Sequence, residues 1–145
     1  MKKKLFLLTA LTLCLAVLNS CQGDKDEVTT KTIVGKWKQI NGIYSPAYFG
    51  ETDYFASYLP CEKDDIVEFK ANGSFEKTEG STKCDQGDPQ IIDQGSYSVN
   101  AGFTTLIIHS QTLTIELTAN TLKLHLPSFV VDNITYTDVA TYQRQ

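Results

Sequence analysis

Few side chains in this sequence stand in patterns that could do chemistry, and the densest group of them is aromatic. Between Ile43 and Pro60 (IYSPAYFGETDYFASYLP) lie Tyr44, Tyr48, Phe49, Tyr54, Phe55 and Tyr58. Such rings supply large apolar area, and tyrosine adds an oriented hydroxyl, which suits the lid or wall of a small-molecule pocket. The same rings could instead plug and stabilise a narrow core, and the sequence leaves both readings open. His109 and His125 flank apolar residues (Ile108, Leu124 and Leu126) that alternate to the opposite side of a strand, so both imidazoles are expected on the surface. No carboxylate stands at a recognisable spacing to orient either one for metal binding or proton transfer. Glu62, Asp64 and Asp65 are read as a solvated turn, since no loop of alternating oxygen ligands for calcium follows them. Ser81, Ser96 and Ser98 lack the elbow of a serine hydrolase, and no glycine-rich phosphate loop occurs. The expectation is a protein that is not an enzyme and carries no cofactor or metal.

The N-terminus offers chemistry of another kind. Lys2, Lys3 and Lys4 precede an apolar run from Leu5 to Leu18. This run is shorter than the roughly 20 residues that span a bilayer, so residues 1–20 read as a cleaved signal peptide. Its end, Leu18-Asn19-Ser20-Cys21, resembles the lipobox of bacterial lipoproteins. The resemblance implies that Cys21 is acylated and holds the protein on a membrane, with enough chains for a lasting anchor. Residues 21–32 are polar and free of aromatics, a tether that reaches at most about 35 Å. Gln22 is not the aspartate that retains lipoproteins at the inner membrane of well-studied Gram-negative bacteria. Asp24, Asp26 and Glu27 resemble the acidic cluster that sends Bacteroidetes-type lipoproteins to the outer surface. The expected location is the outer membrane, on its periplasmic face or at the cell surface, with the surface preferred.

Without the first twenty residues, 125 remain, carrying ten basic against seventeen acidic side chains. This is one domain, expected over residues 33–145, with a formal charge of −7. Such a balance excludes nucleic acid as a partner, since phosphates require a basic surface. It also excludes adhesion to anionic lipid by charge.

Four cysteines are present; Cys14 leaves with the signal peptide and Cys21 is assigned to lipid, so Cys61 and Cys84 remain. In an oxidising compartment two such thiols pair. Ile66–Lys70 and Ser74–Thr78 read as a hairpin around Ala71-Asn72-Gly73, with Phe69 opposite Phe75. Counting outward, Cys61 falls within one residue of facing Cys84, so a disulfide would close the open end of this hairpin. Two cysteines without a nearby histidine make a poor zinc site.

The elements that must carry these residues are strands. Leu113, Ile115 and Leu117 alternate with polar residues, as do Leu122, Leu124 and Leu126. A turn at Ala119-Asn120 sets Leu117 opposite Leu122 and Ile115 opposite Leu124. A tight turn at Ser110-Gln111 would place Ile108 opposite Leu113 and Leu106 opposite Ile115. A connection from Asn100 to Phe103 then brings Val99 and Tyr97 to the same face. Adding Ile33–Asn41, the Phe69/Phe75 hairpin and a last strand near Ile134–Tyr142 gives eight strands. Short sequential hairpins favour an all-β, eight-stranded antiparallel up-and-down barrel over a β-sandwich. In the last strand Ile134, Tyr136 and Tyr142 compete with Val139 for the interior.

Gly35-Lys36-Trp37 on the first strand resembles the Gly-x-Trp motif of lipocalins. Together with Cys61, Phe69, Asn72-Gly73, Cys84, Gly95-x-Tyr97 and Thr141-Tyr142, it resembles the lipocalin-like domain of Bacteroidetes-type outer-membrane lipoproteins. The resemblance implies that Trp37 packs across the closed end of the barrel and that the Tyr44–Tyr58 segment lies over its mouth. It further implies a non-enzymatic envelope protein that binds a small, partly hydrophobic molecule, with Trp37, Tyr44, Tyr48, Phe49, Tyr54, Phe55 and Tyr58 as contacts. The alternative is a protein-binding module, inhibitor-like or host-interacting, in which the aromatic segment projects outward. Oligomeric state is not specified by the sequence.

Overall fold

The computed structural model describes residues 31–145. The expected signal peptide, Cys21 and most of the expected tether lie outside the described residues. Strands β1 (Gly35–Tyr48) and β2 (Glu51–Asp53) lead into a 3-10 turn at Phe55–Ser57 and a short helix α1 (Pro60–Lys63). Strands β3 (Ile66–Phe69), β4 (Ser74–Thr78), β5 (Ile91–Val99), β6 (Thr105–Ile108), β7 (Gln111–Leu117), β8 (Thr121–Val131) and β9 (Ile134–Arg144) follow. The sheet runs in the order β2-β1-β3-β4-β5-β6-β7-β8-β9, and β1 also pairs with β9. That last pairing closes an eight-stranded antiparallel barrel, with β2 as a short addition beside the upper half of β1.

The alternating rows behave as their spacing requires. Leu117 pairs with Leu122 and Ile115 with Leu124, while Phe69 faces Phe75. Leu106, Leu113, Ile115, Leu117 and Leu122 are buried together with Trp37, Phe69 and Phe75 in one core. The β6–β7 turn departs from expectation by two residues: Ile108 pairs with Gln111 and Leu106 with Leu113. Its corner is His109-Ser110, both at positive φ (50° and 63°), the conformation that lets a two-residue turn follow the twist of its strands. Because the side-chain period is two, this slip leaves every core residue on its expected face.

Two longer corrections bear on the site. β1 continues to Tyr48, beyond the expected end at Asn41, so that with β2 (Glu51–Asp53) half of the anticipated connection is strand. The register shifts at Ile40, between Gln39 paired with Tyr142 and Asn41 paired with Thr141. This bulge re-aims the strand so that Gly42, Tyr44 and Tyr48 face inward above the barrel. β9 puts Tyr136 and Ala140 in buried positions with Tyr142 on the same side, whereas Ile134 is exposed. Val139 therefore loses the competition for the interior.

Trp37 is fully buried at the closed end, with its indole N–H donating to the Ile33 carbonyl at 2.8 Å. The Arg144 guanidinium lies over the ring, 4.2 Å from its centre. It also donates to the carbonyls of Ala119 and Val34, both at 2.7 Å. Gly35 makes this possible, since a Cβ there would stand 2.5 Å from Arg144 Nη1. The plug thus joins the first and last strands.

Cys61 and Cys84 are joined by a disulfide with a Cα–Cα separation of 5.2 Å. The pair is the expected one, but its geometry is not that of a hairpin's open end. Cys61 stands on α1 and Cys84 in the segment between β4 and β5, so the bond ties helix to loop rather than strand to strand. Asp64 reinforces the tie, accepting hydrogen bonds from the backbone and hydroxyl of both Ser81 and Thr82 at 2.6–3.0 Å. It is therefore a structural acceptor and not a merely solvated turn residue, and these bonds hold its carboxyl below the usual carboxylate range.

Candidate ligand site at the open end of the barrel

At the end opposite Trp37 the wall is uneven. β1, β8 and β9 extend well past the short β6–β7 hairpin, forming a lip on which aromatic rings collect. Phe129 and Tyr136 stack with centroids 5.4 Å apart, and Tyr48 stands edge-on to both, at 5.3 and 5.0 Å. Tyr44 joins Tyr48 to Tyr54, at 5.5 and 4.7 Å, and Tyr54 reaches Tyr58 at 5.9 Å. This continuous row of rings is held from below by Gly42. A Cβ at that position would lie 2.2 Å from the Tyr54 ring, so only glycine lets the tyrosine lie flat on the strand. The Tyr54 backbone N–H donates to the Gly42 carbonyl at 3.0 Å, which fixes the fold-back of the segment after β2.

Part of this row borders a half-open cavity of about 580 Å³. Tyr44, Tyr48, Phe49, Tyr54 and Tyr58 line it, together with Gln39, Lys77, Leu126, Asp138, Ala140 and Tyr142. Two of the expected contacts lie elsewhere. Phe55 is not part of the lining; it packs on Tyr58 at 5.4 Å, with the Lys63 ammonium over its other side. Trp37 stands at the far end and borders a separate inner cavity of about 160 Å³ with Val67, Phe75, Ile108 and Leu124. Lys77 and Tyr142 border both spaces and separate the apolar core from the mouth.

Several residues of the site had no signal as site residues in the sequence. Asp138 falls on the inward row of β9 between Tyr136 and Ala140, where alternation alone would place it, yet a carboxylate in that row reads as an outward residue. Its Oδ1 is buried and lacks a hydrogen-bond partner. Burial pushes its carboxyl above the usual aspartate range, partly opposed by the neighbouring Tyr54 hydroxyl. The same surroundings keep the phenols neutral. Burial first, then Asp138, raises Tyr54, Tyr44 and Tyr58. Burial pushes Tyr142 up to about 12. Lys77 is paired with Asp65 at 3.1 Å.

The imidazoles are surface groups, but the expectation that no carboxylate attends them is overturned. Cross-strand neighbours supply one each: His109 lies 2.9 Å from Asp93, and His125 lies 2.9 Å from Glu116. Sequence spacing hides such pairs because strands bring together residues far apart in the chain. Among the described residues, no group of three or more histidine, cysteine, aspartate or glutamate side chains stands ready to hold a metal ion.

A family model described as a lipocalin-like domain matches residues 33–124 of the chain. The match ends within β8, and β9 completes the barrel beyond it. None of the curated proteins compared matches the chain. The family is in general a binding fold without enzymatic activity, associated with small hydrophobic ligands.

Proposed function

The chain belongs to the lipocalin-like domain family, and we propose that it binds a small, partly hydrophobic molecule at the mouth of its barrel while anchored to the outer membrane through lipid on Cys21. The observation that carries this reading is the half-open cavity of about 580 Å³, walled by aromatic rings and polar groups, a size suited to a small ligand. The rings pack on one another along its wall, and tyrosine hydroxyls, Gln39 and Asp138 are left to orient the ligand's polar end. In this reading Tyr44, Tyr48, Phe49, Tyr54 and Tyr58 are contacts. Trp37 is the structural plug of the closed end, and Phe55 supports Tyr58.

Titration with the neutral fluorophore N-phenylnaphthylamine tests the reading. Saturable emission with one molecule bound per chain, weakened by Tyr54→Ala, is expected. Emission that never saturates, or that is indifferent to Tyr54→Ala in a folded variant, would count against it.

A second reading has one observation in its favour. Phe49, at the corner between β1 and β2, is 84 % exposed, and Val130 on the same lip is 64 % exposed. Apolar groups placed so far out suit contact with another protein. Crosslinking at position 49 in intact cells would distinguish the two: a protein adduct supports this reading, and a small-molecule adduct supports the first.

A further inference from the structure

We propose that the open-end cavity selects an organic cation, a protonated amine or quaternary ammonium bearing an apolar group, with the Asp138 carboxylate as counter-ion and the Tyr44, Tyr54 and Tyr58 rings as walls. The inference rests on the mouth-binding reading above and adds the chemical class of ligand.

Charge is the first argument. The lining carries two carboxylates, Glu51 and Asp138, and one ammonium, Lys77. Lys77 already has its counter-ion in Asp65, so the cavity retains unmatched negative charge. Asp138 has no basic partner among the described residues, and its buried Oδ1 accepts nothing. A partly buried carboxylate without a basic partner is destabilising until a cation reaches the side of it that borders the cavity. An anionic ligand would meet Asp138 and Glu51 at close range and be repelled.

The rings are the second argument. Tyr44 and Tyr54, with centroids 4.7 Å apart and planes tilted by 39°, stand beside the same carboxylate, and Tyr58 continues the wall 5.9 Å from Tyr54. The electron-rich faces of neutral tyrosines attract organic cations, and the attraction strengthens as water is excluded. Burial keeps these phenols protonated, so the walls carry no charge of their own. The apolar group of the ligand would lie along Tyr48, Phe49 and Leu126, which line the same space.

The test compares three ligands of one shape on the full-length protein by calorimetric titration: phenyltrimethylammonium, its neutral isostere tert-butylbenzene, and benzenesulfonate. The expected result is one-to-one binding of the ammonium at least about tenfold tighter than either competitor. Asp138→Asn is expected to abolish that preference, and Asp138→Glu to restore part of it. If Asp138→Asn fails to fold, the ligand ratio on the unaltered protein decides alone. Equal binding of all three, or tighter binding of the sulfonate, would overturn the cation inference and leave the mouth reading standing. So would failure of all three while N-phenylnaphthylamine still binds. If the fluorophore fails as well, both readings fall together.

Discussion

At the level of single residues, Asp138 and Trp37 stand for opposite ends of the barrel and opposite physics. Trp37 is held by full burial, one hydrogen bond and a stacked guanidinium, so its removal leaves a large void at the closed end. Trp37→Ala is expected to cost about 3–5 kcal/mol, read from chemical denaturation. Asp138 is placed where its charge is disfavoured. Its folded pKa is raised by burial, so the folded state binds the proton more readily than the unfolded chain does. Above the raised folded value the buried charge therefore destabilises the fold, and protonation on acidification removes this penalty. Asp138→Asn is accordingly expected to melt higher than the parent at neutral pH. The gap should narrow as pH falls through the raised carboxyl range toward the ordinary aspartate value. A variant that melts lower at neutral pH would show that the carboxylate is satisfied by its surroundings. Trp37 was legible through the resemblance of Gly35-Lys36-Trp37 to the Gly-x-Trp motif of lipocalins, which implies a tryptophan across the closed end. Asp138 was not, because its neighbours Thr137 and Val139 give no sign that the acidic residue is the one facing in.

Among the elements, although the β6–β7 register differs from expectation by two residues, the inward face of the meander from β5 to β8 was readable, since any one-residue slip would bury Thr112, Lys123 or Glu116. The end of β1 was not. Ser45-Pro46-Ala47 carries no strand alternation, and only pairing with β9 on one side and β2 on the other keeps that segment extended. The loop between β4 and β5 depends on a different kind of support. It is attached to α1 by the Cys61–Cys84 bond and by the Asp64 carboxylate. Cys84→Ser is expected to lower stability by roughly 2–4 kcal/mol, with the loss concentrated in faster amide exchange between β4 and β5. Asp64→Ala should loosen the same loop by about 1 kcal/mol, allowing for its exposure to solvent. A uniform loss across the barrel in either variant would mean that the loop belongs to the core's cooperative unit. The β3–β4 hairpin ends short of both cysteines, so its strand register does not set the Cys61–Cys84 pair. Redox compartment and the number of remaining thiols were the sounder guides.

For the whole molecule, the barrel divides its labour along its axis: an apolar plug at one end, a gate of Lys77 and Tyr142 in the middle, and an aromatic, negatively charged mouth at the other. The alternation of leucine and isoleucine revealed the plug because hydrophobic burial follows a period of two. The mouth depends on a bulge, a glycine under a ring and a fold-back of the chain, none of which has a period. Attachment to a membrane is a proposal carried by Leu18-Asn19-Ser20-Cys21 alone. Cys21→Ser is expected to move the protein from the membrane to the soluble fraction without altering its circular dichroism, and continued membrane association would argue for another anchor. The central claim, that the mouth and not the plug receives a ligand, is open to one direct measurement. Backbone amide shifts recorded during titration with phenyltrimethylammonium should change at Gly42, Tyr44, Tyr54, Asp138 and Ala140 and stay still at Phe69, Leu106 and Leu117. Shifts confined to the plug, or to the outer surface of the barrel, would contradict it.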